Sequence, residues 1–248
     1  MKPARAFLTA RWEDLVLLNW AAPETLLEPL LPRGTELDRW QGEALISLVG
    51  FRFRDTRVLG VSIPGHRNFP EVNLRFYVRR DVDGTARRAV VFVREIVPRR
   101  AIAAIARWIY NEPYLAAPMR ERVALDAGRG GEAEFAWWHG GHAFTLRAAV
   151  DGPAAPLCPG SEAEFVTEHY YGYTRQRDGG TLEYAVEHPR WRVWSAYQHS
   201  FYGPARSLYG DGLGAMLAAP PRSAYVAVGS PVTVRVGRRL PQPEPPRQ

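Results

Sequence analysis

The chain is nearly without cysteine and lysine. Its 248 residues include one cysteine, Cys158, so no internal disulfide can form and no cysteine cluster can hold zinc. Lysine occurs once, as Lys2, and every other one of the 32 basic residues is arginine. A guanidinium has too high a pKa to supply a free amine. Lys2 is expected at a frayed terminus, which would leave no interior amine to form a Schiff base. Long apolar runs are missing too. The longest near the start, Leu15 to Leu18, is far short of a signal-peptide core, and no run approaches a membrane span. The expected compartment is the cytoplasm.

Familiar catalytic signatures are also absent. No Gly-x-Ser-x-Gly, phosphate loop or dinucleotide fingerprint occurs, and no cofactor is implied. His139 and His142 flank a Gly-Gly turn without an accompanying carboxylate or cysteine at ligand spacing, which reads as a hairpin tip rather than a metal site. Net charge is +6, but the arginines are scattered from Arg5 to Arg247, in pairs at most and among acidic residues. Nucleic-acid binders concentrate their charge on one element, so that partner is disfavoured.

What is present is an ordinary folded composition, 46% hydrophobic and 23% charged. Strand signals dominate. Glu43 to Phe53 reads as a strand. Val72 to Val78 alternates with a period of two, and Asp83-Gly84 turns the chain into Ala89 to Val97. Ala133 to Val150 forms a hairpin across Gly140-Gly141. Tyr171 to Arg177 and Thr181 to Glu187 form another. Arg192 to His199 is a strand, and Tyr225 to Val236 a strand pair turning at Gly229-Ser230-Pro231. Helices are expected at Pro23 to Leu30, Ala101 to Tyr110 and Pro204 to Leu217, and after the Ser161/Glu164 capping box. Hairpin connections without regular βαβ spacing argue for an α+β fold, mostly antiparallel, curled or closed. Residues 1–237 form one domain in this reading, and 238–248 a Pro-rich disordered tail.

Polar groups recur inside the apolar strands. Glu71, Asn73, Arg75 and Tyr77 share one strand face, and His169, Tyr171, Tyr173 and Arg175 another. Such faces ordinarily meet water. If instead they look inward, they converge on a small ligand. Val72, Leu74, Phe76 and Val78 must then be covered from outside, by Ala101 to Tyr110 and Pro204 to Leu217.

These segments, together with Leu26 to Asp38, Ala44 to Val61, Thr181 to Trp194 and Gly229 to Val234, resemble the YqjF-like bacterial family of unknown function. That family is grouped with the acetoacetate decarboxylase-like superfamily. The resemblance implies a cone-shaped, mostly antiparallel β-barrel with a few flanking helices and a site inside the cone. Val93-Arg94-Glu95 is similar to the superfamily's Gly-Arg-Glu strand, which makes Glu95 the implied catalytic carboxylate. The superfamily's Schiff-base lysine is expected near Glu134 to Arg147, where this chain has none.

The expected function is therefore a small-molecule enzyme working without a Schiff base. Glu95, Glu71 and His169 would move protons, and Arg75, Asn73, Tyr171, Tyr173 and Arg175 would bind the ligand, an organic acid. A non-catalytic ligand-binding barrel is the alternative, and a basic interaction module the third reading.

Overall fold

The structure is a computed structural model that describes residues 4–99 and 111–241. The strands are β1 (Ala6–Ala21), β2 (Glu36–Leu37), β3 (Arg39–Trp40), β4 (Glu43–Val58), β5 (Phe69–Val82), β6 (Thr85–Val97), β7 (Tyr114–Ala116), β8 (Met119–Asp126), β9 (Gly130–His139), β10 (His142–Asp151), β11 (Ala155–Pro156), β12 (Tyr171–Arg175), β13 (Thr181–Glu187), β14 (Arg192–Ser195), β15 (Gln198–Tyr202), β16 (Ser223–Arg235) and β17 (Arg238–Arg239). The helices are short: α1 (Glu24–Leu27), α2 (Glu162–Thr167), α3 (Ala205–Tyr209) and α4 (Asp211–Leu217).

Seven strands close on themselves in the order β16-β1-β4-β5-β6-β12-β13, and β13 returns to β16 through Val186↔Val234 and Glu187↔Thr233. All these pairings are antiparallel except β6 with β12. A second sheet, β15-β10-β9-β8, lies outside the ring. It packs on the strand faces that carry Val72, Leu74, Phe76 and Val78. This cover differs from the expected one: Phe135, Trp137, Phe144 and Leu146 of the second sheet join α3 and α4 there. Contact is close enough that a Cβ on Gly50 would stand 2.7 Å from Phe135. The Ala101 to Tyr110 segment lies outside the described residues.

Bulges bend the strands into the ring. Asp14 (φ 56°) and Asp55 (φ 53°) adopt left-handed backbone, which aspartate tolerates better than most residues. The β1–β4 register shifts beside each. An extra residue in one strand sharpens bend and twist and re-aims the side chains beyond it. A third bulge, in β6, leaves Val93 unpaired between Leu74↔Arg94 and Arg75↔Phe92.

Local expectations fare unevenly. Ser161 caps α2, its Oγ accepting from Glu164 N at 3.1 Å. The β5–β6 and β9–β10 hairpins lie where expected. No turn forms at Gly229. β16 runs straight through it with a positive φ, because a Cβ there would sit 2.0 Å from the Trp12 carbonyl oxygen across the ladder. Gly210 (φ 78°) divides the expected Pro204 to Leu217 helix into α3 and α4. Arg238–Arg239, assigned to the tail, pair as β17 with β13. The long strand β1 carries no simple alternation because Asp14 shifts its phase.

Candidate functional site

The ring encloses a cavity of about 280 Å³ with largely aromatic and aliphatic walls. Trp12, Phe51, Phe53, Phe69, Phe92 and Trp191 are among the aromatic residues that line it. Helix α2 lies inside, with Phe165 and Val166 packed in the inner core.

Strand β5 presents Glu71, Asn73 and Arg75 to this cavity, all at most 7% exposed. Phase comes from the alternation itself, since Val72, Leu74 and Phe76 are buried in the outer core. Tyr77 shares the inner face but stands behind the cavity, against Ser47 and the Val166 carbonyl. On β6, Val90 and Phe92 face inward, and strict alternation would turn Glu95 outward. The Val93 bulge reverses the phase, so Glu95 points into the cavity opposite Asn73.

Two further groups, unforeseen from sequence, complete a buried acidic cluster. Glu112 precedes β7, and Tyr114 lies beside Glu95 in the parallel β6–β7 pair. Tyr114 donates to Glu71 at 3.1 Å, and Asn73 donates to the other Glu71 oxygen at 3.1 Å. Thr174 and Tyr184 donate to Glu112, Tyr184 at 2.9 Å. Glu95 Oε2 is buried without a hydrogen-bond partner.

Burial drives the protonation of this cluster. It pushes Glu71 up to about 7, against the opposing bonds from Asn73 and Tyr114 and the charge of Arg75. It pushes Glu112 to about 7 as well, against the bonds from Thr174 and Tyr184. Glu95 rises well above the ordinary carboxylate range through burial, reinforced by the negative charges of Glu112 and Glu71. The same burial favours the protonated form of Glu95 over its carboxylate.

The cationic side is sparse. Arg75 donates to the Val166 carbonyl at 3.0 Å, and its Nε is buried without a partner. No carboxylate among the described residues comes within ion-pair distance of it, so Arg75 and Glu95 do not pair with each other, and Arg75 meets a neighbouring polar group, the Val166 carbonyl, instead. His169 lines the same cavity and stacks on Tyr77 with ring centroids 4.6 Å apart. Both its ring nitrogens lack partners. Burial, with Arg88, Arg75 and His188 nearby, holds its pKa well below the usual histidine value, so it is a neutral imidazole.

The third polar set is only partly at the site. Tyr171 borders the cavity and lies under the Arg87 guanidinium. Tyr173 points the other way and donates to Glu183 at 2.7 Å. Arg175 caps the Pro29 and Leu31 carbonyls. The inward phase of β12 belongs to Gly172 and Thr174: Tyr184 stands against Gly172, and Thr174 meets Glu112. The stretch from Glu134 to Arg147 lies in β9 and β10 of the outer sheet, and none of its residues lines the cavity. His139 and His142 face each other at the β9–β10 tip. Among the described residues no three His, Cys, Asp or Glu side chains gather as a metal would need, and no helix is long and apolar enough to cross a membrane.

Comparison with known proteins follows the same lines. The family model for DUF2071, described as an uncharacterized conserved protein, matches residues 9–231. The uncharacterized protein YqjF of Bacillus subtilis (strain 168) is 28% identical over 193 residues, which is 75% of this chain and 74% of that protein. Acetoacetate decarboxylase from Legionella pneumophila superposes with a TM-score of 0.66 at 15% identity, over 95% of this chain and 87% of its own. An acetoacetate decarboxylase-like enzyme from Sphingomonas wittichii RW1 gives 0.64 at 14% identity, over 95% and 94%. The enduracididine biosynthesis enzyme MppR complexed with pyruvate gives 0.65 at 15%, over 94% and 90%.

Proposed function

The chain belongs to the DUF2071 family and has an acetoacetate decarboxylase-like fold, and from that premise we propose that it is a cytoplasmic acid–base enzyme acting on a small organic acid. One observation carries this reading: Glu95, with a buried and unpartnered oxygen, and Arg75, a buried and unpaired cation, face one aromatic cavity. Perturbed carboxylates in a cleft are the usual mark of proton-transfer chemistry. Arg75 holds the substrate carboxylate, with Asn73 and Tyr171 beside it. Glu95 in its acid form protonates a carbonyl oxygen of the substrate. A base, Glu71 or the neutral His169, takes the proton from the adjacent carbon, so an enol forms with no net change in protons. No Schiff base takes part, because the only lysine is Lys2. The structural neighbour MppR is complexed with pyruvate, an oxo acid, and the reading gives this chain a ligand of that class.

The test is proton exchange. Oxo acids are incubated with the protein in deuterated water, and loss of the signal from the carbon adjacent to the carbonyl is followed by NMR. Exchange that disappears in Glu95→Gln supports the proposal. Saturable binding without exchange, in wild type and variant alike, would assign the cavity to ligand binding alone, the reading that its apolar walls favour.

A further inference from the structure

The cavity is long for its contents. Its lining on β4 runs from Val49 through Phe51, Phe53 and Thr56 to Val58, and on β1 from Leu15 through Trp12 to Phe7. Nine residue steps of strand rise about 30 Å in all, or roughly 20 Å along the ring axis for strands tilted by about 40°. The polar groups gather at the Arg75 end. Toward the other end the wall is apolar apart from Thr56 and His66, and the Asp14 and Asp55 bulges keep it facing inward on both strands.

At that end the apolar surface continues outside. Ile63 lines the cavity and is itself 37% exposed; Leu59 and Val61 beside it are 47% and 63% exposed. Val236 is 42% exposed, two residues beyond the cavity-lining Val234, and the Leu59 amide donates to the Phe7 carbonyl at 2.7 Å. Four of the seven exposed large hydrophobics among the described residues therefore ring this one mouth. Scattered exposed apolar residues need no explanation, but a patch continuous with an apolar cavity marks a ligand path.

We propose that the ligand is an amphiphilic acid whose apolar chain lies along the ring axis and emerges between Leu59, Val61, Ile63 and Val236. The inference rests on the proposed function only for the carboxylate at Arg75. It sets the substrate class, because a compact acid would leave most of the apolar wall uncovered.

Chain length tests it. Binding of butanoate, hexanoate, octanoate, decanoate and dodecanoate is measured by calorimetry, with the matched alcohols and amines as probes of the head group. Each added methylene that is fully buried should tighten binding roughly fourfold, and the Leu59→Ser/Val61→Ser double variant should weaken dodecanoate more than hexanoate. Affinity that peaks at butanoate or hexanoate overturns the inference, as does a double variant that binds every chain as the wild type does. If alcohols and amines follow the same chain-length series as the acids, the chain stands and the carboxylate role of Arg75 falls. Wild-type protein that sediments with phosphatidylglycerol vesicles without ligand, through a rim whose double substitution leaves the chain-length series intact, makes the rim a lipid contact and also overturns the inference.

Discussion

Asn73 stands directly opposite Glu95 in the β5–β6 ladder, yet its amide donates to Glu71 instead. The carboxyl it faces keeps one oxygen buried and unpartnered. Removing the acid while keeping the shape isolates its chemical role. Glu95→Gln should retain the native circular dichroism spectrum and ligand-induced thermal shift while losing about a hundredfold or more in proton exchange. A variant that exchanges at the wild-type rate would remove Glu95 from the mechanism.

Glu71 makes the protein sensitive to pH. Its carboxyl titrates near 7 in the folded chain and at the ordinary 4.5 when unfolded. Between those values the native state holds a proton that the unfolded state has released. The group's contribution is therefore fully present below about 4.5 and is lost as pH rises through about 7. Relative to wild type, Glu71→Gln should gain stability at alkaline pH, by at most about 3 kcal/mol, and nothing below the ordinary carboxylate range. Denaturant midpoints of both proteins across that range provide the check, and a gain that grows toward acid pH would contradict the assignment.

Arg75 has no ion-pair partner, so its loss should affect protonation more than packing. Arg75→Met keeps most of the stem. It should move the Glu71-linked stability midpoint to higher pH, since the nearby positive charge that lowers it is gone, and should abolish the thermal shift from carboxylate ligands. An unchanged midpoint would mean that the two groups do not interact.

Gly172 leaves room for Tyr184. A Cβ there would fall 2.2 Å from the Tyr184 ring, and that ring's hydroxyl donates to Glu112. Gly172→Ala should cost about 1–3 kcal/mol by overpacking and release Glu112 from one of its bonds, raising that carboxyl further. Thermal melts at acid and alkaline pH would record a larger penalty at alkaline pH; a pH-independent penalty would mean that Tyr184 keeps its bond.

No keto acid should be trapped by borohydride on an internal residue, because the only lysine is Lys2. Mass spectrometry of peptides from pyruvate- or acetoacetate-treated protein checks this directly. A reduced adduct elsewhere in the chain would overturn the lysine-free chemistry.

Part of this site is legible in the sequence. The alternation of Glu71, Asn73 and Arg75 with Val72, Leu74 and Phe76 fixes two faces, and the inward one is polar. Glu95 is placed by resemblance, while its orientation depends on a bulge at Val93 that leaves no mark in composition. Tyr173 and Arg175 alternate just as regularly, yet β12 presents Gly172 and Thr174 inward instead. Periodicity defines two faces without saying which is buried, and here a glycine opposite a tyrosine was the better clue. Glu112 sits in a short Asn-Glu-Pro-Tyr stretch with no period to read. The ring is foreshadowed by antiparallel hairpins, but the outer sheet that covers it comes from packing between distant segments, which local patterns do not encode.

Closure of the ring depends on β16, which pairs with β1, β14 and β13. Its partners span almost the whole chain, from Ala6↔Arg235 to Val186↔Val234. Contacts so distant in sequence are slow to form, and during synthesis they must wait for nearly the last residues of the strand to emerge. Until then β1 keeps one edge unpaired, a template for association with other chains. Until β16 has paired with both β1 and β13 the sheet is open and has no cavity, so enclosure of the acidic cluster waits on that single closure.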